Sequence, residues 1–467
     1  MSDVLASLKQ LRDSQPDLEI VADGELLAEV GHDWWMRSLL ERRTGVEQRA
    51  AAVVRPASTA EVSTVLAWAD ATRTAVVPFG LGSGVCGAIK PGRDHVVIDM
   101  RKMTDLVELN DNSLTVTVQP GMRGSDFEAA LGRRGYTMGH FPQSIALSTV
   151  GGWCATRASG QLSTRYGNIE DMLLGCEVVL PGGAVVRVPS TPRSSIGPDL
   201  RQVFLGSEGT LGIFTEMTFR IHPTAESSRG RCFTLPSLES GIEALRLIMR
   251  GGWRPAVTRL YDATEAGRNF QIAADGEPVL LLMSEGPTAL VEAEAVATRE
   301  IVENHGGIDH GPEPVDSWLD HRNNVPSFDD LVDQGLVVDT IEVAIGWDRL
   351  AKLFKDVVAE GSAIEGMLAM SGHISHCYTQ GGNIYFTFVA TQSDPAAAIE
   401  LYDRVWELTM KHTHELGGTI AHHHGIGRVR KGWLTKELGG AHDLLVRIKQ
   451  AIDPNGIMNP GVLLDSA

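Results

Sequence analysis

Cysteine is scarce in this chain, with five in 467 residues, at positions 86, 154, 176, 232 and 377. None stands in a Cys-x-x-Cys pair, so the spacing offers no zinc ribbon or dithiol redox centre. The odd number and wide spacing suit a reducing compartment. Basic residues are also in deficit. Lys and Arg total 41 against 59 Asp and Glu, a formal net charge of −18. A nucleic-acid binder presents a basic face, so that function is not expected; a local basic pocket remains compatible with the composition. Long hydrophobic runs are missing too. No uncharged apolar stretch approaches 18 residues, so no membrane-spanning helix is expected. The opening MSDVLASLKQLRD has no secretion-signal core. A cytoplasmic chain is the expectation, with any membrane contact peripheral. GHDWWMRSLLERR (31–43) is the candidate for that contact, although packing on the body is the simpler role.

What the chain has instead is glycine, 50 residues of it, much of it clustered. Its length predicts two or three domains. PFGLGSGVCG (78–87) follows an apolar strand and can wrap a phosphate with backbone amides. It is followed by a strand rather than a helix, unlike a Rossmann turn, and it lacks the Gly-Lys-Ser/Thr of a Walker loop.

A helical segment is expected over 1–47. Next come a short strand, a helix capped by Ser58 or Thr59 and running to about Thr72, and a strand in TAVVPF. NSLTVTVQPG alternates like a strand, SDFEAALGRRG reads as a helix stopped by Gly135, and CEVVLPGGAVVRV reads as a hairpin. Residues 140–172 show no sustained period and read as loop. Between 230 and 415, helices near 237–250, 288–304 and 348–360 alternate with strands near 257–261, 279–284, 338–345 and 383–390. This predicts an α+β domain with an antiparallel sheet. A helix over 395–416 leads into AHHHGIGRVRKG (421–432), where three consecutive histidines precede three basic residues. Neutral histidine suits proton transfer near neutral pH, and histidine clusters also hold metals.

The order of PFGLGSGVCG, PQSIALSTVGGWCATRASG, YGNIEDM and GSEGTLGIFTE resembles the FAD domain of the vanillyl-alcohol oxidase (PCMH-type) superfamily. The resemblance implies a two-part FAD-binding domain over 48–225, a substrate-binding α+β cap over 226–415, and a segment over 416–467 that returns to the flavin. Carried over, Pro78, Phe79, Gly80, Leu81, Gly82, Ser83 and Gly84 would line the pyrophosphate. Gln143, Ser144, Ser148, Thr149, Gly152, Thr156, Arg157, Ala158, Ser159 and Gly160 would supply further contacts, with Glu208, Gly209, Thr210, Gly212 and Ile213. The first loop lacks the histidine that some relatives use to attach the cofactor, so the FAD is expected to be noncovalent.

SGHISHCYTQGGNIYFTF, AHHHGIGRVRKGWL and IDPNGIMNPG resemble the alkyldihydroxyacetonephosphate synthase family. That family exchanges the acyl group of acyl-dihydroxyacetone phosphate for a long-chain alkoxy group through an adduct at flavin N5, in ether lipid synthesis. The implied catalytic residues are His422, His423, His424, Tyr385 and Arg259. Substrate contacts are expected from His373, Tyr378, Arg428, Arg430 and Lys431, the last three as a basic rim suited to phosphate. The partner is then a phosphorylated, lipid-like small molecule; homodimerisation is a further possibility. The synthase family has an arginine where this chain has His373. The related FAD-linked D-lactate and D-2-hydroxy acid dehydrogenases give the alternative, an FAD oxidoreductase acting on a hydroxy acid or other alcohol. Their metal-using members take ligands from two histidines and a glutamate. The matching positions here are Tyr378, Tyr385 and His423, so no metal is expected. His373 and His376 with His423 are the residues from which such a site would have to be rebuilt.

Overall fold

The computed structural model describes residues 2–46, 48–273, 276–325 and 328–464. Its architecture is α+β. Three larger sheets carry the chain, and a two-stranded pairing of Tyr136–Thr137 with His222–Pro223 supplements them.

The first sheet has four strands in the order Glu19–Val21, Ala52–Arg55, Val96–Asp99, Val76–Phe79. The last three pair in parallel, and the helix Thr59–Thr72 makes the crossover. Ser58 caps that helix by accepting from the Glu61 amide, as the sequence predicts. Val53, Val77, Val97 and Phe79 are buried in one of the clusters beside this sheet, which explains their unbroken apolar runs. Strand Val76–Phe79 therefore delivers the glycine loop from a rigid base.

The second sheet is antiparallel and five-stranded, in the order Leu106–Asn110, Thr115–Val118, Ile213–Arg220, Leu173–Val179, Val185–Val188. The CEVVLPGGAVVRV hairpin forms, with Gly182 and Gly183 at positive φ in the turn. The expectation of loop over 140–172 needs correction. Short helices occupy Val150–Thr156, Ser163–Tyr166 and Ile169–Met172. Each is too short to display a helical period.

The third sheet has seven strands, in the order Ile308–Asp309, Ser227–Thr234, Val279–Gly286, Val257–Tyr261, Met367–Ile374, Gly381–Thr391, Leu336–Gly346. Every pairing is antiparallel. Helices Leu238–Arg250, Trp347–Ser362 and Pro395–Glu415 contribute to the large core beside it. Three of its strands, Ile308–Asp309, Ser227–Thr234 and Met367–Ile374, are not anticipated from sequence. The last places His373 inside a strand, opposite Tyr385 on one neighbour and Tyr261 on the other. The N-terminal segment packs inward: Trp35, Met36, Leu39 and Leu40 join the same core. No helix among the described residues is long and apolar enough to cross a membrane. All five cysteines are buried and unpaired.

Candidate functional site

The glycine loop, the short helices and the third sheet meet around a cavity of about 450 Å³. All of residues 78–84 line it. So do Gln143, Ser144, Ser148, Thr149, Gly152, Thr156, Ala158, Ser159, Glu208, Gly209, Gly212 and Ile213. Arg157, Gly160 and Thr210 are not in the wall. The Arg157 guanidinium bonds Gln202, and Thr210 bonds the Ser207 carbonyl. Gly160 sits against the backbone of His140 and Phe141, where a Cβ would lie 2.6 Å from the Phe141 nitrogen.

The wall fits an extended cofactor with a diphosphate. Among the described residues, none of the amides of residues 80–84 donates to a backbone carbonyl, which leaves a run of donors for an anion. Gly80 is packed so closely that a Cβ would stand 2.4 Å from Thr149 Oγ1. Thr149 cannot yield freely, because its hydroxyl caps the helix Val150–Thr156.

The catalytic candidates reach the same cavity from four other places. Arg259 comes from strand Val257–Tyr261, His373 from strand Met367–Ile374 and Tyr385 from strand Gly381–Thr391, while His423 and His424 come from the loop after helix Pro395–Glu415. His373 and Tyr385 stack, with ring centres 5.0 Å apart. The Tyr385 hydroxyl lies 3.0 Å from the Thr340 hydroxyl, and burial pushes its pKa up to about 12. Burial pushes His422 down to about 3 and His424 down to about 4; His422 is lowered further by His424. His423 also lies well below the ordinary value, for the same reason and through its histidine neighbours. The triplet is therefore neutral at pH 7, able to accept a proton on one ring nitrogen and donate on the other.

His422 does not line the cavity. It bridges Tyr378 Oη, 2.6 Å from Nε2, and His423 Nδ1, 2.8 Å from its own Nδ1. Tyr378 in turn bonds Asn168. These two form a layer behind His423. His376 lies beside them, 2.6 Å from Ser163 Oγ. Ring nitrogens of His376, His422 and His423 lie within 4.8 Å of one another. His373 is not in that group, because Glu265 and Arg259 hold its two nitrogens.

The expected basic rim requires correction. Arg430 has no exposed surface, and its guanidinium is paired with the equally buried Glu342. It also donates to the Gly425 carbonyl at 2.6 Å and lies over the Trp406 ring. Arg428 donates to the carbonyls of Pro460, Gly461 and Lys90. Lys431 opens the helix Lys431–Leu438, outside the cavity wall. Among the described residues of the wall, Arg259 is the one guanidinium.

Two carboxylates missed or misread in sequence shape the histidine loop. Glu342 Oε1 accepts from the amides of His423 at 3.0 Å and His424 at 2.7 Å. Glu208, assigned to the cofactor, accepts from the amides of Ile426 at 2.7 Å and Gly427 at 2.9 Å while also lining the cavity. Burial pushes Glu208 up to about 7. Asp33 is a third missed residue. It lines the cavity beside Gly84 and accepts from the amides of Trp35 and Ile89. Nothing in its sequence context, GHDWW, points to a ligand wall; only the inward packing of the N-terminal segment does.

With this geometry in place, comparison with known proteins is decisive for the family. Residues 50–189 match the FAD binding domain, and residues 225–463 match the C-terminal domain of FAD linked oxidases. The chain belongs to the FAD-linked oxidase family. FAD is its cofactor. It is 34% identical to the uncharacterized FAD-linked oxidoreductase YgcU of Escherichia coli O157:H7, over 88% of each chain. It is 31% identical to the alkyldihydroxyacetonephosphate synthase of Trypanosoma brucei brucei, covering 91% of this chain and 75% of that one. A solved alkyldihydroxyacetonephosphate synthase structure superposes with a TM-score of 0.81 at 26% identity, covering 97% of this chain and 84% of that one. These relatives span a synthase and an oxidoreductase, so FAD-dependent enzyme chemistry is the common statement.

Proposed function

We propose that this enzyme replaces the acyl group of an acyl-dihydroxyacetone phosphate with a long-chain alkoxy group, as an alkyldihydroxyacetonephosphate synthase-like transferase. The observation that carries the reading is the mixed character of one cavity. Arg259, His373, Tyr385, His423 and His424 face it together with Trp34, Val325, Phe328 and Val338. A phosphorylated head needs the cation and the donors, and an alkyl chain needs the apolar wall. The lead over oxidation also rests on the sequence similarity to synthases.

The loops of 78–84, 143–159 and 208–213 hold FAD, whose bound flavin supplies the electrophilic and electron-transfer chemistry at the reacting carbon. The chain's own groups do the rest. Arg259 binds the phosphate. Tyr385 and His423, both neutral, share protons with the oxygen that leaves as a fatty acid and the oxygen that enters as an alcohol. The apolar residues exclude water, which would otherwise compete with the alcohol.

A second reading is dehydrogenation of a hydroxy acid or other alcohol; its reaction class, oxidoreduction, is favoured by the higher identity to the E. coli oxidoreductase. One experiment separates them. Incorporation of labelled hexadecanol into palmitoyl-dihydroxyacetone phosphate without an electron acceptor is the expected result. Lasting bleaching of the flavin by a D-2-hydroxy acid under anaerobic conditions, with no such incorporation, establishes oxidation instead. Acid precipitation is expected to release the flavin, and chelators to leave activity unchanged.

A further inference from the structure

His373 is held on both ring nitrogens. Nδ1 lies 2.9 Å from Glu265 Oε1, and Nε2 lies 2.6 Å from Arg259 Nη2. A carboxylate only accepts and a guanidinium only donates. The partners therefore assign the neutral tautomer: Nδ1–H donates to Glu265, and the Nε2 lone pair receives Arg259. His373 and Glu265 are both buried, and the second Glu265 oxygen has no partner among the described residues.

Arg259 is gripped weakly by comparison. Beyond His373, among the described residues it bonds only the Tyr261 hydroxyl, at 3.0 Å, and it lies over the rings of Tyr261 and Trp318. It makes no ion pair among the described residues. A phosphate entering the cavity offers it a charge-assisted, two-pronged partner that a neutral imidazole cannot match.

We infer that His373 is the base that takes the proton from the substrate carbon, with Glu265 as its positioning residue and Arg259 as a cover that the substrate's phosphate draws away. The identity of that proton rests on the transfer reading. In the step, the C1–H bond beside the ketone breaks, the proton goes to Nε2, and the electron pair delocalises into the ketone as an enolate. The new imidazolium is stabilised by Glu265 through the Nδ1–H bond. The proton returns to the same carbon when the exchanged product forms, so no external oxidant or reductant is consumed.

The charges around the ring are consistent with a base that the substrate releases. Burial lowers His373 below the ordinary value, Glu265 raises it and Arg259 lowers it. Glu265 itself is held below the ordinary carboxylate range, with burial opposed by His373, Arg259 and Arg268. Asp262, which caps the helix Ala263–Asn269 that carries Glu265, Tyr261 and Tyr385 on the flanking strands, and His376 and His423 in the wall of the same cavity are the titratable surroundings. Movement of Arg259 off the ring removes a lowering charge and makes Nε2 more basic.

Nitrogen-15 NMR of histidine-labelled holoenzyme, with inorganic phosphate as the probe, tests the cover. The His373 pKa is expected to rise on phosphate addition in the wild type. In Arg259→Ala it is expected to be already raised and to ignore phosphate. Deuterium incorporation at C1 of palmitoyl-dihydroxyacetone phosphate in D₂O tests the base. His373→Gln is expected to slow it about 10²-fold with flavin content retained. His373→Gly is expected to regain part of the rate with added imidazole. Glu265→Gln removes the raising charge, so the acid limb of the pH profile is expected at lower pH, a change that loss of packing alone does not produce. Wild-type exchange with an equally fast His373→Gln overturns the base and leaves the transfer reading standing. Alkoxy incorporation that succeeds while phosphate leaves His373 unmoved overturns the cover. A wild type that exchanges no C1 deuterium and incorporates no alcohol overturns the transfer reading, and the base role with it.

Discussion

The glycine loop of residues 78–84 and the histidine loop of residues 422–424 line one cavity or stand just behind it, but they are held by different physics. The first is a steric device. Its chain passes so close to Thr149 that no side chain fits at Gly80, and its amides are left for a ligand. The second is an electrostatic device. Its amides at His423 and His424 are spent on Glu342, those just beyond it at Ile426 and Gly427 on Glu208, and Arg430 balances Glu342 inside the core. A loop made from absent side chains can cradle a cofactor; a loop made from buried charge can fix the direction of three imidazoles.

The largest break in this contrast is expected from Glu342→Ala. It strands a buried guanidinium and removes the acceptor for two amides, at a cost of about 3–5 kcal/mol. Denaturant unfolding of the holoenzyme measures it, and a cost below about 1 kcal/mol would contradict the electrostatic account. Next comes Tyr385→Phe, which keeps the ring stacked on His373 and deletes only the hydroxyl. Turnover is expected to fall about 10²-fold with little change in stability. Gly80→Ala follows, at about 1–3 kcal/mol and with reduced flavin occupancy, because the new methyl meets the Thr149 hydroxyl. Adding Thr149→Ala is expected to recover part of the occupancy even though a helix cap is lost, and absorbance of the purified protein reads this directly.

The smallest effect concerns pH. Glu208 has a folded pKa near 7, above its ordinary value, so the folded state holds the extra proton and its contribution weakens as pH rises from about 4.5 to 7. His422 and His424 are depressed, so their contribution is present above about 6.5 and is lost as pH falls toward 4 and 3. Glu208 and the two histidines oppose each other in that window. Glu208→Gln removes one side and is expected to steepen the acid-side loss of stability in a pH series of melting curves.

The strands carrying Arg259 and Tyr385 were legible because VTRLY and NIYFTFVA are β-rich runs bounded by turn residues. The strand carrying His373 was not. Residues 370–374 are buried without alternation, and MSGHI offers neither a period nor a β-branched run. Glu265 was hidden differently. Asp262 and Glu265 have the spacing of a helix cap, and Asp262 does accept from the Glu265 amide. The Glu265 carboxylate nevertheless turns to His373, which is 108 residues away.

By itself, the sequence determined the family, most of the glycine-rich loop residues that line the cavity and the residue types available for proton transfer, because backbone clearance and imidazole chemistry are written in local spacing. Only the tertiary structure decided that Arg430 is a buried counterion rather than a phosphate ligand, that Glu208 braces the histidine loop, and that His373 stands between Glu265 and Arg259. Those outcomes depend on which charges end up sharing a low-dielectric interior, and the pairing of distant strands, not their local composition, sets that.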